Sequence, residues 1–353
     1  MSKEQLTIIQ IARRFGPVGG MERYAWEVSR ELKALGHHVI VLCERCHAEK
    51  PTGMKVVELG EVAMRPRWLA QVRFARRVRE WLRQNPQPGA LIHSHERVDV
   101  HDVTTFHGPP FANILDRPFW RRLSFRVAMR LFLERRELRI AQAIVPNSRF
   151  IADQLEHYYP EYAAKLTSPI LPGVETGAIR AARRVPSGGG VVCFVGLEWE
   201  RKGLQFAVDI VKELRRERSE LELWVVGPPP EQVQHLFATW EGGYRLLGFC
   251  KDNEYFTGAD VMLHPAKAEP YGMVIAEAMA AQVPVVISDV CGAAADVGAA
   301  SGRVLSLQSS LQEWVAAVDQ QLQRCDAPPA YHRSWREVAL EHEALYRDMR
   351  GKL

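Results

Sequence analysis

Short apolar runs alternate along this chain with longer segments in which apolar residues return every three or four positions. Leu6 to Ala12, His37 to Cys43 and Ala143 to Ser148 read as strands buried on both faces, and Asp102 to Gly108 as a strand ending in His107 and Gly108. Met21 to Leu35, closed by Gly36, reads as a helix, and so do Arg65 to Arg83, Arg117 to Arg139 and Arg149 to His157. The second half repeats the scheme. Strands are expected at Val191 to Gly196, Leu221 to Gly227, Tyr244 to Gly248, Val261 to Leu263 and Val283 to Ser288, and helices at Leu204 to Arg218, Glu231 to Trp240 and from Gly272 onward. Such alternation predicts an α/β fold with a doubly wound parallel sheet, met twice. Arg183-Arg184-Val185-Pro186-Ser187-Gly188-Gly189-Gly190 has linker composition, and the boundary is placed near 172–175. Helices near 311–323 and 334–349 close the chain, the second after Pro328-Pro329.

With 353 residues, 25% charged and 47% hydrophobic, the chain is long enough for two packed domains and too apolar for disorder. It has no run of about eighteen apolar residues, and its first residues lack a signal peptide's apolar core, so a cytoplasmic location is expected. Six scattered cysteines suit reduced, buried thiols better than a disulfide framework. The net charge of +4 conceals an asymmetry: residues 1–172 hold 27 basic against 18 acidic residues, the remainder 19 against 24. The basic half should face something acidic, whether an anionic membrane, a phosphorylated glycolipid or nucleic acid. Its arginines sit on the helical segments 65–83 and 117–139, interleaved with Trp68, Phe119, Trp120, Phe125 and Phe132, a pattern that suits a solvated face or lipid head groups. Neither segment has a nucleic-acid recognition signature, and no nucleic-acid partner is expected.

Candidate chemistry centres on Glu269-Pro270-Tyr271-Gly272-Met273-Val274-Ile275-Ala276-Glu277, two carboxylates eight positions apart, one in a loop and one over a turn into a helix. Alone, such a pair is commonplace on surfaces. Upstream, Gly196-Leu197-Glu198-Trp199-Glu200-Arg201-Lys202-Gly203 sets two cations and a glycine before a helix N-terminus, an arrangement suited to a diphosphate. Phe15 to Gly20 forms a glycine loop between strand and helix without the G-x-G-x-x-G dinucleotide fingerprint. Cys43-Glu44-Arg45-Cys46-His47 spells a haem-attachment motif, which the absence of an export signal disfavours, and His93-Ser94-His95 could chelate a metal but has no matching third ligand.

Taken together, Gly19-Gly20-Met21-Glu22, Thr105-Phe106-His107-Gly108, Pro146-Asn147-Ser148, Pro172-Gly173-Val174-Glu175, Arg201-Lys202-Gly203, His264-Pro265 and the E-x7-E stretch resemble the retaining glycosyltransferases of family 4, and most closely the lipopolysaccharide-core glucosyltransferases. The resemblance implies the GT-B architecture, two Rossmann-like domains facing a cleft. Residues 1–172 would be the acceptor-side domain and 173–325 the nucleotide-sugar domain, with 326–353 ending in a helix that packs back on the first. It further implies transfer of a hexose from a nucleotide-diphosphate sugar, UDP-linked by expectation, to a lipopolysaccharide-core or other envelope glycan at the inner membrane face. An exopolysaccharide acceptor, or a non-hydrolysing epimerase, is the alternative. Arg201 and Lys202 would neutralise the diphosphate, Glu277 would bind the ribose, and Glu269 and His107 would meet hydroxyls of the sugar. Gly19 and Gly20 would abut phosphate and sugar, the backbone at Phe249 and Cys250 would hold the base, and amides near Tyr271, Gly272 and Met273 would approach the donor. No cofactor and no metal are implied. Leu197 stands where many family members carry arginine, so Arg201 would carry that task alone.

Overall fold

Thr7–Ile11 (β1) is buried from Ile8 onward, and the first sheet grows from it in both directions. The computed structural model describes residues 4–63, 65–175 and 177–351. His38–Cys43 (β2), Lys55–Glu58 (β3), Leu91–Ser94 (β4), Val103–Phe106 (β5) and Ala143–Pro146 (β6) complete a parallel sheet of order β3-β2-β1-β4-β5-β6. Ile8 lies opposite Val39 on one side and Leu91 on the other. Strands flanked on both edges and covered on both faces can be apolar throughout, which is why the sequence shows runs here rather than alternation. Helices Gly20–Ala34 (α1), Arg67–Gln84 (α2), Phe125–Ile140 (α3) and Arg149–Tyr158 (α4) connect them. Phe74, Ala75 and Val78 of α2 close over Ile9, Ile11, Ile40 and Leu42.

Gly189–Val195 (β7) founds the second sheet. With Glu220–Val226 (β8), Tyr244–Gly248 (β9), Val261–His264 (β10), Val285–Ser288 (β11) and Gly302–Leu305 (β12), it gives the order β9-β8-β7-β10-β11-β12, the first sheet's topology repeated. Trp199–Lys202 (α5), Leu204–Leu214 (α6), Pro230–Val233 (α7), Met273–Ala280 (α8) and Leu311–Leu322 (α9) surround it. Val208 and Val211 of α6, with Trp314 and Val318 of α9, pack on Phe194, Leu223, Val225 and Leu263. Trp335–Gly351 (α10) belongs to the other unit: the chain divides into Met1–Gly173 with Ser334–Leu353, and Val174–Arg333. Within the first unit, the Tyr24 ring of α1 meets Trp335 and His342 of α10 edge-on, at 5.6 and 5.8 Å.

Several elements depart from the expected pattern. The segment 117–139 is not one helix. Pro118 interrupts it, two 3-10 turns cover Phe111–Asp116 and Phe119–Arg121, and α3 starts only after Ser124, whose hydroxyl accepts from the Val127 amide at 3.2 Å. The helix expected over 231–240 is one α turn followed by a 3-10 turn, Gln234–Phe237, in the short span between Pro228-Pro229-Pro230 and Gly242-Gly243. The helix expected to reach Arg218 ends at Leu214. Strands β3 and β12, each four residues long and partly exposed at a sheet edge, carry too weak an apolar signal to be read in advance.

Candidate active site

Both sheets reverse their strand order next to the founding strand, between β1 and β4 and between β7 and β10. In doubly wound sheets the crevice beyond the carboxyl ends of these two strands is where ligands bind. In the second unit that position is occupied by charge. β7 runs out into Gly196, α5 carries Arg201 and Lys202, β10 ends at His264, and the following loop carries Glu269. The two cations therefore lie on a one-turn helix of their own rather than on the N-terminus of the longer α6.

Gly203 separates α5 from α6 in a left-handed conformation, φ +83°, and a Cβ there would collide with the Pro265 carbonyl oxygen. That close approach locks the cationic turn to the loop after β10, reinforced by the Lys267 amide donating to the Arg201 carbonyl at 2.8 Å. Glu269, 7% exposed, gathers the cluster: its Oε2 lies 3.1 Å from Lys202 Nζ, 3.5 Å from an Arg201 Nη and 3.4 Å from His264 Nε2. Arg201 also donates to the Ala268 carbonyl and to Glu198. Burial alone would push the Glu269 carboxyl up. The His264 hydrogen bond and the charges of Lys202 and Arg201 outweigh it and hold the group down at about 2, so it is ionised at every physiological pH. His264, wholly buried and stacked on Phe194, is pushed down by that burial against the opposing pull of Glu269. A neutral His264 then donates its Nε2–H to the carboxylate.

Gly272, φ +96°, turns the chain into α8. Its Cβ position is filled by Ile275 and the Glu269 side chain, so the first turn of the helix is set directly against that carboxylate. Tyr271 is buried and its hydroxyl is committed to Asp296 and Tyr331, which leaves its main chain, with those of Gly272 and Met273, as the part able to meet a ligand. Glu277 lies on the second turn of α8, half-buried, with its charge felt by Tyr255. Cys250 acts on the same tyrosine, so Glu277 and the segment after β9 share a neighbourhood. Phe249, next to Cys250, is 71% exposed.

The first unit holds the remaining candidates. Gly19 caps α1 and lies against the Glu22 carboxylate, which Arg14 pairs, and Gly20 opens the helix. His107 follows β5, half-buried, with its Nε2 2.8 Å from His95 Nδ1 and its ring 4.9 Å from Tyr24. His93 and His95 do not form a chelating pair: their ring nitrogens bind Tyr346, Thr105, His107 and Gln10. Among the described residues, no group of three or more His, Cys, Asp or Glu side chains is arranged to hold a metal.

Reading the sequence singled out Arg201, Lys202 and Glu269, and the fold brings them into contact. It assigned no task to His264, although a polar residue ending a buried strand was signal enough. Tyr24, Gln10, His342 and Tyr346 were missed because nothing local distinguishes them from core residues.

Residues 18–178 match the family model of Glycosyltransferase Family 4, and residues 189–324 that of Glycosyl transferases group 1. A probable transglycosylase of Burkholderia thailandensis is 26% identical over 318 residues, 85% of this chain and 84% of its own. The lipopolysaccharide glucosyltransferase WaaG of Escherichia coli is 22% identical over 79% of each chain. A crystal structure of WaaG superposes with a TM-score of 0.73 at 20% identity over 97% of this chain and 95% of that one. HepE of Anabaena in complex with UDP-glucose gives 0.67 at 15% identity over 99% and 100%. At these identities the superpositions establish the common GT-B fold.

Proposed function

Because the chain belongs to the family 4 glycosyltransferases of GT-B fold, we propose that it transfers a hexose from a UDP-linked donor to a glycan acceptor of the cell envelope, with retention at the anomeric carbon. The observation that carries this reading is the cluster of Lys202, Arg201, His264 and Glu269 at the switch point of the second sheet. Lys202 and Arg201 supply positive charge where a departing diphosphate gathers negative charge. Such preorganised charge lowers a barrier most where water is excluded. Glu269 holds both cations in place and directs its remaining acceptor capacity at a sugar hydroxyl. Glu277 takes the ribose hydroxyls, Phe249 and Cys250 the base, and the amides of Tyr271, Gly272 and Met273 the phosphate and sugar. Gly19, Gly20 and His107 are further candidate sugar- and phosphate-contacting residues.

In the reaction the bond from the anomeric carbon to the diphosphate oxygen breaks and a bond to the acceptor oxygen forms on the same face. The acceptor proton passes to the departing phosphate. No side chain then serves as a nucleophile, and a glycosidase role for Glu269 is not needed.

The acceptor side is read from α3 and the turns before it. Phe119, Trp120, Leu123 and Phe125 are each more than 60% exposed, and Phe132 is 54% exposed, among Arg117, Arg121, Arg122, Arg126 and Arg130. Exposed aromatic rings interleaved with arginines suit an anionic membrane surface, where the rings enter the head-group layer. No helix among the described residues is long and apolar enough to cross a membrane. A peripheral position at the inner face, with a lipopolysaccharide-core acceptor, is the reading these residues favour.

The test is a screen of UDP-hexoses with glycolipid and soluble oligosaccharide acceptors, followed by UDP release and product linkage. Acceptor-dependent UDP release with retained configuration is expected, and Lys202→Ala should lower it about a hundred-fold or more while the circular dichroism spectrum stays unchanged. Full activity in that variant, or interconversion of free nucleotide sugars without transfer, would remove the assignment.

A further inference from the structure

In the first unit, a hydrogen-bonded chain of buried polar groups runs from β1 to the half-buried His107. Gln10, buried on β1, places its Oε1 2.9 Å from His95 Nε2 and its amide nitrogen 3.3 Å from the Tyr346 hydroxyl. His95 Nδ1 lies 2.8 Å from His107 Nε2. On the other branch, Tyr346 meets His93 Nδ1 at 2.6 Å, and His93 Nε2 meets the Thr105 hydroxyl at 2.7 Å.

The chemistry of the groups sets the direction of these bonds. A carboxamide oxygen only accepts, so His95 Nε2 carries a proton and donates to Gln10. A neutral imidazole has one N–H, so His95 Nδ1 is bare and accepts from His107 Nε2–H. His107 Nδ1 is then bare in turn. The other branch agrees: the Gln10 amide nitrogen donates to Tyr346, whose hydroxyl donates to His93 Nδ1, and His93 Nε2–H donates to Thr105. The groups facing His107 and His95 are Tyr24 from α1, His93 from β4 and His342 from α10. Burial and these neighbouring rings push His107 well below its ordinary range, and burial pushes His95 to about 3.

We propose that Gln10 and His95 are positioning residues that fix the tautomer of His107, so that its Nδ1 presents a lone pair to a hydroxyl of a bound sugar. The tautomer itself follows from the first unit alone; the hydroxyl it receives rests on the glycosyl-transfer reading. An acceptor-only His107 takes a hydrogen bond from a hydroxyl and cannot serve as a general acid.

The experiment is nitrogen-15 NMR of the full chain labelled at histidine, in which each ring nitrogen reports whether it is protonated. Wild type should show His107 as the Nε2–H tautomer, persisting on acidification through the ordinary histidine range. Gln10→Leu, which removes the terminal acceptor, should give a mixture of tautomers at His107. An Nδ1–H tautomer in wild type would overturn the proposal with no variant needed. So would an unchanged His107 spectrum in Gln10→Leu.

Kinetics test the substrate half. Gln10→Leu should lower kcat with UDP-glucose about ten-fold, the loss of roughly one hydrogen bond, while KM changes little. An unchanged kcat would show that Gln10 does not act on transfer through His107. Absence of transfer in wild type would remove the glycosyl-transfer reading and leave the NMR result standing.

Discussion

Glu269 shows how a single carboxylate is made to hold a site. Three donors converge on one oxygen, and together they outweigh a desolvation cost that would otherwise push the carboxyl up. Replacing it with glutamine keeps the shape but removes the charge, leaving Lys202 and Arg201 to repel one another across a buried position. Glu269→Gln is expected to cost about a hundred-fold or more in kcat, read in the UDP-release assay, with intact folding read by circular dichroism. Gly203 is the companion case in the backbone. An alanine there meets both a left-handed conformation and the Pro265 carbonyl, so Gly203→Ala should lose at least about 1–3 kcal/mol of stability in chemical denaturation. Transfer should fall with it, since the cationic turn depends on that approach.

At the scale of elements, helices placed by their buried faces differ from those placed by their ends. α9 is fixed by Trp314, wholly buried and edge-on to Phe206 of α6 at 5.7 Å, and it begins in a capping box between Ser310 and Glu313. Trp314→Ala should destabilise the second unit by about 3–5 kcal/mol, seen as a shifted denaturation midpoint. α3 is different: Glu134 and Glu137 are buried, Glu134 accepting from Arg97, Tyr159 and the amides of Phe111 and Ala112, while the aromatic residues before it face outward. That anchoring presents the aromatic turns without spending their side chains on the core. In α2, by contrast, Arg77 binds the carbonyls of Leu59, Gly60 and Glu61 and Arg79 pairs with Asp99, so less of its charge is available. Phe119→Ser with Trp120→Ser should therefore reduce co-sedimentation with anionic vesicles several-fold without altering transfer to a soluble acceptor. Unchanged sedimentation would count against the membrane reading.

For the whole molecule, the first unit carries an acid-sensitive core. His93, His95 and His107 are held below their ordinary range by burial, and His101 is pushed down to about 4. Between roughly pH 6.5 and 4 the unfolded chain therefore binds protons that the folded chain refuses, and stability falls as pH falls through that window. Burial also pushes Glu96 and Glu137 up to about 7, which acts with the opposite sign above about pH 4.5. Comparing wild type with His95→Asn isolates the histidine contribution. The variant's stability should fall less steeply on acidification, by up to about 1.4 kcal/mol per pH unit for the one proton removed. Equal slopes in urea titrations at pH 4.5 and 6.5 would show that His95 protonates in the folded state.

Much of this was written locally. Doubly covered strands must be apolar throughout, and helices between them must present one apolar stripe, so the twofold α/β alternation was legible from spacing, whereas the loops around Gly19-Gly20, Arg201-Lys202 and Glu269 to Glu277 became candidates only together, through the resemblance to the family. Edge strands β3 and β12 did not, since a strand with one free edge and an exposed face needs few apolar residues. Tertiary structure alone decided that both sheets share one strand order, that His264 completes the Glu269 cluster, and that residues 336 positions apart, Gln10 and Tyr346, meet in one buried chain. Periodicity records which side of an element is buried. It carries no record of which distant partner that side is buried against, and the polar residues of a core take their roles from those partners.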